Sequence, residues 1–346
     1  MTNEELTRRA LAVVAGRRQK ALTLADDALR AARSAIPQLA EVEQQQMEAG
    51  LAAARAGVAG AQQEKQAALA RCAALEAQRI LERSGAQTAL CLPFVPKKGD
   101  RVDVPRQLTL SSLERELPSA DLLICFGGDG TILHAARDAT LHDVPILGVN
   151  MGSVGFMAEL ERSELPLLAP LAQGNFSIEE RMMLDVQVVR GGKIISQDLA
   201  LNDAVVFKGS MARVAEVEVW ADQVQVSSIM GDGVIVATPT GSTAYSMSAG
   251  GPIVEPTSRS IIITPVCAHQ LAARAMVLSP ERTVSVTLPR GTRKHLYLSV
   301  DGGKAIRLSG SDRVEVRRST HCTKLVQLAG RSFYQVINQK LGGFTK

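Results

Sequence analysis

Hydrophobic and polar positions change rhythm three times along the chain. Residues 1 to about 83 are rich in Ala, Gln, Glu and Arg and almost lack β-branched and aromatic residues, a composition of high helix propensity. Pro37 must start or break a helix, and Gly57 and Gly60 mark a further turn. Two or three helices of hairpin or coiled-coil character are therefore expected. From Gln87 the texture becomes short apolar runs separated by turns. Asp121 to Phe126 and Val144 to Asn150 read as parallel strands flanking a helix over 131–140, a βαβ unit of a doubly wound sheet. From Arg181 strict alternation takes over, at Leu184 to Val189, Val214 to Trp220, Thr283 to Leu288 and Arg313 to Arg317. Period two predicts antiparallel sheet with one solvated face. Phe333 to Gly343 turns helical again and could fold back on the α/β part.

Composition narrows the class without choosing a function. At 346 residues with 46% apolar content the chain can fill two domain cores. Net charge is only +4, and Lys and Arg are scattered instead of forming a stripe interleaved with aromatics, so nucleic acid is not expected as a partner. The five cysteines are odd in number, widely spaced and without a C-x-x-C pair; they read as reduced thiols of a cytoplasmic protein, not as a disulfide frame or a zinc site. No apolar run approaches the roughly 20 residues that a membrane span requires. The charged opening Met1-Thr-Asn-Glu-Glu does not read as a signal peptide.

Two motifs carry the chemistry. In Cys125-Phe-Gly-Gly-Asp-Gly-Thr131 an apolar strand delivers one carboxylate into a glycine-rich turn ahead of a helix. Glycines let backbone N–H groups approach an anion, and the helix N-terminus adds favourable dipole, so the turn reads as a phosphate cradle. A carboxylate repels phosphate. Asp129 there suggests a residue that holds Mg²⁺ or takes a proton from an attacking hydroxyl; the bland alternative is a βα turn in which Asp129 only caps its helix. The second motif runs from Gly231 to Pro252 and contains Thr238-Pro-Thr-Gly-Ser-Thr-Ala-Tyr245 after a buried-strand pattern at Val234 to Ala237. Its hydroxyl and backbone groups crowd a tight space, and Tyr245 offers a flat amphipathic surface to a base or ring. The alternative is a flexible Ser/Thr/Gly linker, although linkers seldom carry Pro239, Tyr245 and Pro252 between apolar strands.

Together these motifs resemble the NAD kinase family, over roughly residues 75 to 346. Gly127-Gly-Asp-Gly-Thr131, Gly148 to Phe156, Leu201-Asn-Asp203, Gly231-Asp-Gly233, Thr238 to Tyr245 and Ile263 to His269 come in the family's order. The GGDGT turn alone is shared with diacylglycerol and sphingosine kinases, whereas Thr238 to Tyr245 is specific. The resemblance implies a Rossmann-like α/β domain carrying the GGDG turn and an antiparallel β-sandwich domain, with the active site in a cleft. It implies transfer of the γ-phosphoryl of ATP, with Mg²⁺, to the adenosine 2′-hydroxyl of NAD. Asp129 is then the catalytic base; Gly128, Gly130 and Thr131 contact phosphate; Asn202, Asp203, Asp232 and Thr243, Ala244, Tyr245, Ser246 and Ser248 hold the nucleotide; Phe156 lines the adenosine pocket, with His134 near the site. No residue is assigned as a metal ligand, and a homo-oligomer is expected. The expected division is a helical extension over 1–70, an α/β domain over 71–165 with 331–346, and an all-β domain over 166–330.

Three departures accompany the resemblance. The family's Asn-Glu pair is Asn202-Asp203 here, and the Gln that commonly follows the late Asp is replaced in Asp301-Gly302-Gly303. The apolar first strand ending in Asn-Pro has no counterpart in residues 1–86. Instead, Arg33 to Glu43 and Gly50 to Ala56 weakly resemble the helical N-terminal segment of bacterial replicative-helicase loaders, which raises a fusion with a junction near 70–85. A GGDGT lipid kinase and a catalytically impaired NAD(P)-binding module stand as the other readings.

Overall fold

The computed structural model describes residues 19–20, 22–24, 26–27, 64–91, 110–152, 155–209, 214–270, 272–289 and 296–342. Pro37, Gly57 and Gly60, and the two loader-like segments, lie outside these residues. The chain divides into two compact units, residues 1–88 with 162–172 and residues 89–161 with 173–346.

The first unit is mostly helical where described, with a turn and extended chain at 84–88. Among the described residues a helix spans 64–83 and buries Ala73, Ala77 and Leu81, a spacing of four that lays one apolar stripe along an α-helix. The 3₁₀ segment Arg162–Gln173 buries Leu165, Leu168 and Leu171 instead. A spacing of three is the one that keeps a single face at three residues per turn.

Among its described residues the second unit holds fifteen strands in two sheets. In chain order they are β1 Leu123–Gly127, β2 Ile146–Asn150, β3 Leu160–Glu161, β4 Ser177–Arg190, β5 Lys193–Ala200, β6 Asp203–Lys208, β7 Ala215–Ala221 and β8 Val224–Gly231. There follow β9 Gly233–Ala237, β10 Ile261–Val266, β11 Met276–Leu278, β12 Val284–Thr287, β13 Leu296–Val300, β14 Ile306–Leu308 and β15 Asp312–Gln327. One sheet has the order β1-β2-β15-β12-β7-β8, with β3 on β2, β4 on β15 and β5 on β4; the other runs β11-β10-β9-β6-β13-β14.

The parallel pair β1–β2 is in register from Leu123↔Ile146 to Gly127↔Asn150, joined by the helix Asp129–Leu141. This is the βαβ unit that the apolar runs predict. The parallel and antiparallel regions, separate in the sequence rhythm, nevertheless share one sheet. The reason is the length of β15: its early part pairs with β12, while Leu325 pairs in parallel with Ile146 of β2. A register shift between Arg318 and Cys322 bends it between the two duties. Among the described residues β1 has β2 as its only strand partner.

Alternating side chains sort into separate cores. Leu184, Val186 and Val188 of β4 and Val314 and Val316 of β15 meet Val234 and Val236 of β9 and Ile261 and Ile263 of β10 in one cluster, the filling of a β-sandwich. The opposite face of the smaller sheet carries Val205, Ile235, Ala237 and Ile262. A further cluster joins Ile132, Ala135, Ala136 and Ala139 of the helix to Cys125, Ile146, Met157, Met183, Leu201 and Leu325. The far end of the sandwich is clamped where Arg190 donates two hydrogen bonds to Asp312, at 2.6 and 2.7 Å.

Candidate functional site

Asp129 is the first residue of its helix, and the N-cap position belongs to Gly128. The carboxylate does not cap its own helix. Its oxygens accept backbone N–H bonds from Phe156 (2.8 Å) and Met157 (3.0 Å) in the segment before β3. A Cβ built on Gly155 would collide with the same carboxylate, so the glycine is what allows the segment to close on Asp129. Two fixed donors orient the carboxylate plane while leaving each oxygen a further lone pair. Around it, a Cβ on Gly128 or Gly130 would meet nothing within 4 Å, and neither residue has positive φ.

The second cluster is built from three turns at one end of the smaller sheet. Asp301, in the left-handed region at φ 48°, accepts N–H bonds from Leu201 (2.7 Å), Asn202 (2.8 Å) and Asp203 (2.9 Å), and its own N–H returns to the Asp203 carbonyl at 2.9 Å. Thr238 donates its N–H to the Asn202 carbonyl (2.9 Å) and its hydroxyl to the Leu201 carbonyl (2.5 Å), and its Oγ1 accepts the Gly241 N–H (3.0 Å). A Cβ on Gly241 would run into the Asn202 backbone. Burial, and then the neighbouring Asp301 charge, push the Asp203 carboxyl up to about 7. Burial also raises Asp301, with its three N–H donors opposing.

Leu201 of this cluster and Met157, whose N–H holds Asp129, lie in the same apolar core, which brings the two motifs together. Other predicted residues fall into place less uniformly. Thr131, Thr243 and Ala244 are partly buried, while Tyr245 and Ser248 are exposed. Ser246 is fully buried and its hydroxyl is spent on Thr264 at 2.7 Å. His134 is exposed on the helix. Phe156 packs against the C-terminal helix Phe333–Leu341, 6.5 Å from the Phe333 ring and with the Lys340 ammonium 4.0 Å from its ring centre. Asp232 precedes β9 and pairs with Lys208 at 2.5 Å, whereas Asn202, Asp203 and Thr238 sit at the other end of that strand.

Three groups escaped the sequence reading. Glu159 is buried and accepts N–H bonds from Leu328 (2.7 Å) and Ala329 (2.6 Å) ahead of the C-terminal helix; burial raises its pKa against those donors. Arg181 is a buried guanidinium paired with Glu179. Asp301 was legible as the late family Asp, but its part in folding the Asn202 loop was not. Only the strand pairing that brings positions a hundred residues apart together reveals it.

Comparison with known proteins decides the family. The ATP-NAD kinase N-terminal domain matches residues 30–171 and the ATP-NAD kinase C-terminal domain matches residues 201–328. An NAD kinase of Ruminiclostridium cellulolyticum is 39% identical over 224 residues, 64% of this chain and 78% of that protein. The chain belongs to the NAD kinase family. It transfers the γ-phosphoryl group of ATP to the adenosine 2′-hydroxyl of NAD, giving NADP. An NAD kinase of Acetivibrio thermocellus is 34% identical over 262 residues, covering 75% of this chain and 89% of its own length. Among solved structures, a yeast NADH kinase complexed with NADH shares the fold at TM-score 0.67 and 24% identity, covering 80% of this chain and 85% of its own. An NAD kinase from Archaeoglobus fulgidus in complex with ATP aligns at TM-score 0.53 and 27% identity over 65% of this chain and 84% of its own. The lipid-kinase and impaired-module readings are not favoured by these NAD kinase matches. The N-terminal-domain match begins at residue 30, so it covers the loader-like segments and crosses the junction expected near 70–85. No helix among the described residues is long and apolar enough to cross a membrane.

Proposed function

We propose that Asp129 is the base that takes the proton of the NAD 2′-hydroxyl as it attacks the γ-phosphorus, with Gly128, Gly130 and Thr131 lying along the phosphates. The observation that carries this is the open space at Gly128 and Gly130. Neither packing nor backbone dihedral requires glycine there, whereas a phosphate approaching the backbone N–H groups does. The oriented carboxylate of Asp129 sits between them, where a proton acceptor for an in-line displacement belongs. Asn202 and Asp203 hold the nucleotide of NAD, with Thr243, Ala244, Tyr245 and Ser248 along the neighbouring turn, Phe156 against the adenosine, and His134 and Asp232 at the periphery. Ser246, buried against Thr264, supports that turn from behind.

Mg²⁺ would be carried by the phosphate oxygens of ATP itself. Bound in that way it offsets phosphate charge. We also place the enzyme in the cytoplasm as a homo-oligomer. Its five free thiols suit a reducing compartment, and Val224 and Met230 on β8 and Val277 on β11 leave apolar side chains exposed on edge strands.

The test mixes purified protein with ATP, Mg²⁺ and NAD and follows NADP through a coupled dehydrogenase. Asp129→Asn keeps the shape and removes the basic oxygen. Turnover should fall about 10² to 10⁴-fold, with NAD affinity nearly unchanged. Near-wild-type turnover in that variant would reassign the base.

A further inference from the structure

The C-terminal helix Phe333–Leu341 has nine residues, none of them buried, so filling a core does not explain why it is held. An isolated helix this short is marginal in water. It is nevertheless closed at both ends: Ser332 and Gln335 form a reciprocal capping box, and Gly342 ends it in the left-handed region at φ 47°. Its approach is tied to a single stretch of chain around β3. Glu159, itself buried, accepts the N–H groups of Leu328 and Ala329 at 2.7 and 2.6 Å. Glu161, which accepts both N–H bonds of the Asn150 amide at 3.0 and 3.1 Å, pairs with Arg331 at 3.4 Å.

From that footing the helix reaches Phe156. The Phe333 ring tilts against the Phe156 ring with centres 6.5 Å apart, and two turns further along the same face the Lys340 ammonium lies 4.0 Å from the centre of that ring. The backbone N–H of Phe156 donates to Asp129 at 2.8 Å. A ring confined to one rotamer well ties its own Cα, and with it the amide, to whatever holds the ring. The two donors to Asp129 are thus anchored differently. Met157, whose N–H donates at 3.0 Å, has its side chain in the apolar cluster with Ile132 and Ala136 of the Asp129 helix. Phe156 is anchored by the C-terminal helix.

We propose that Phe333 and Lys340 are positioning residues for the phosphoryl transfer, acting through Phe156 to hold the Asp129 carboxylate in its working orientation. The inference rests on the reading of Asp129 as the base. In that step the 2′-O–H bond breaks with its proton going to Asp129, the oxygen bonds to the γ-phosphorus, and the bond to the bridging oxygen breaks with its electron pair leaving on ADP. A carboxylate held by two N–H donors has a fixed plane; with one donor loosened, the plane swings about the other. Misplacing a catalytic group by about 1 Å can cost about 10²-fold in rate, so a weak contact far along the helix has a measurable effect on turnover.

The experiment compares steady-state kinetics of the full chain carrying Phe333→Leu, Lys340→Met, Lys340→Arg or Asp129→Asn, with NAD titration calorimetry and thermal unfolding on each. Phe333→Leu keeps apolar bulk and removes the ring; kcat should fall about three- to tenfold. Lys340→Met keeps the stem and removes the charge; kcat should fall about two- to fivefold. In both, KM and calorimetric affinity for NAD should stay within about twofold of wild type, and Lys340→Arg, which keeps a cation over the ring, should restore kcat. Wild-type kcat in either variant overturns the role of that residue. A loss that appears in KM for NAD, or that matches the fraction unfolded at the assay temperature, overturns the proposal. If Phe333→Leu does not fold, Lys340→Met decides, since Lys340 is exposed. An inactive Asp129→Asn beside wild-type kcat in the helix variants rejects this inference alone; an active Asp129→Asn rejects the base assignment and this inference with it.

Discussion

The two glycine-rich motifs look alike in sequence and do opposite things in the structure. At Gly128 and Gly130 an added Cβ would meet nothing, while at Gly241 it would strike the Asn202 backbone. The first turn keeps an empty surface beside a half-exposed carboxylate. The second is closed on itself, with Thr238, Gly241, Asn202 and Asp301 exchanging backbone and side-chain hydrogen bonds. Gly128 and Gly130 therefore leave open space beside Asp129, while Gly241 allows a close backbone approach. A ligand-facing glycine can be told from a structural one by what its missing Cβ would touch.

That contrast can be broken most sharply at Gly241. Gly241→Ala must push apart two backbone segments, and overpacking of this kind typically costs about 1–3 kcal/mol or somewhat more. Thermal unfolding should begin about 5–10 °C lower, and NAD binding should weaken along with stability. Gly130→Ala should do the reverse. An alanine in the first helical turn faces open space, so the melting temperature should hold or rise slightly, because the substitution removes about 0.5–1 kcal/mol of backbone entropy cost. KM for ATP should nonetheless rise about tenfold, the equivalent of one weakened phosphate contact. Equal stability losses in both variants would erase the distinction.

A further effect concerns pH. Asp203 titrates near 7 in the folded protein because it is buried beside Asp301, against about 3.9 when unfolded. Between those values the native state holds a proton that the unfolded chain has released, so stability falls as pH rises through this window. The melting temperature of the wild type should therefore decline from pH 5 to pH 8 more steeply than that of Asp203→Asn. Glu159 and Asp301, also raised by burial, contribute in the same direction to both proteins. The difference between the two curves is the quantity to measure, and parallel curves would remove Asp203 as the source.

Much of the architecture was open to a reading of the chain alone. The two apolar runs that became β1 and β2, the helix between them, the alternating strands and the terminal helix Phe333–Leu341 all follow from periodicity, which records which face of a segment is buried. Asp129 and Thr238 stood out because glycine and hydroxyl clusters between apolar strands have few structural uses, whereas Asn202 was marked only by the family resemblance. What periodicity could not convey was which distant segments pair. The 16 residues of β15 carry one sheet across both the parallel and the antiparallel region, and Asp301 folds a loop a hundred positions earlier. Nothing in the sequence marked Glu159 and Arg181 as buried, since a charged residue in an alternating pattern says nothing about whether its far end reaches water. The sequence by itself determined the elements of the α/β and β regions and their order, because local propensity and side-chain type act over a few residues. Only the tertiary structure decided which glycines stand open and which carboxylates are buried, because these are properties of long-range contacts that no local stretch encodes.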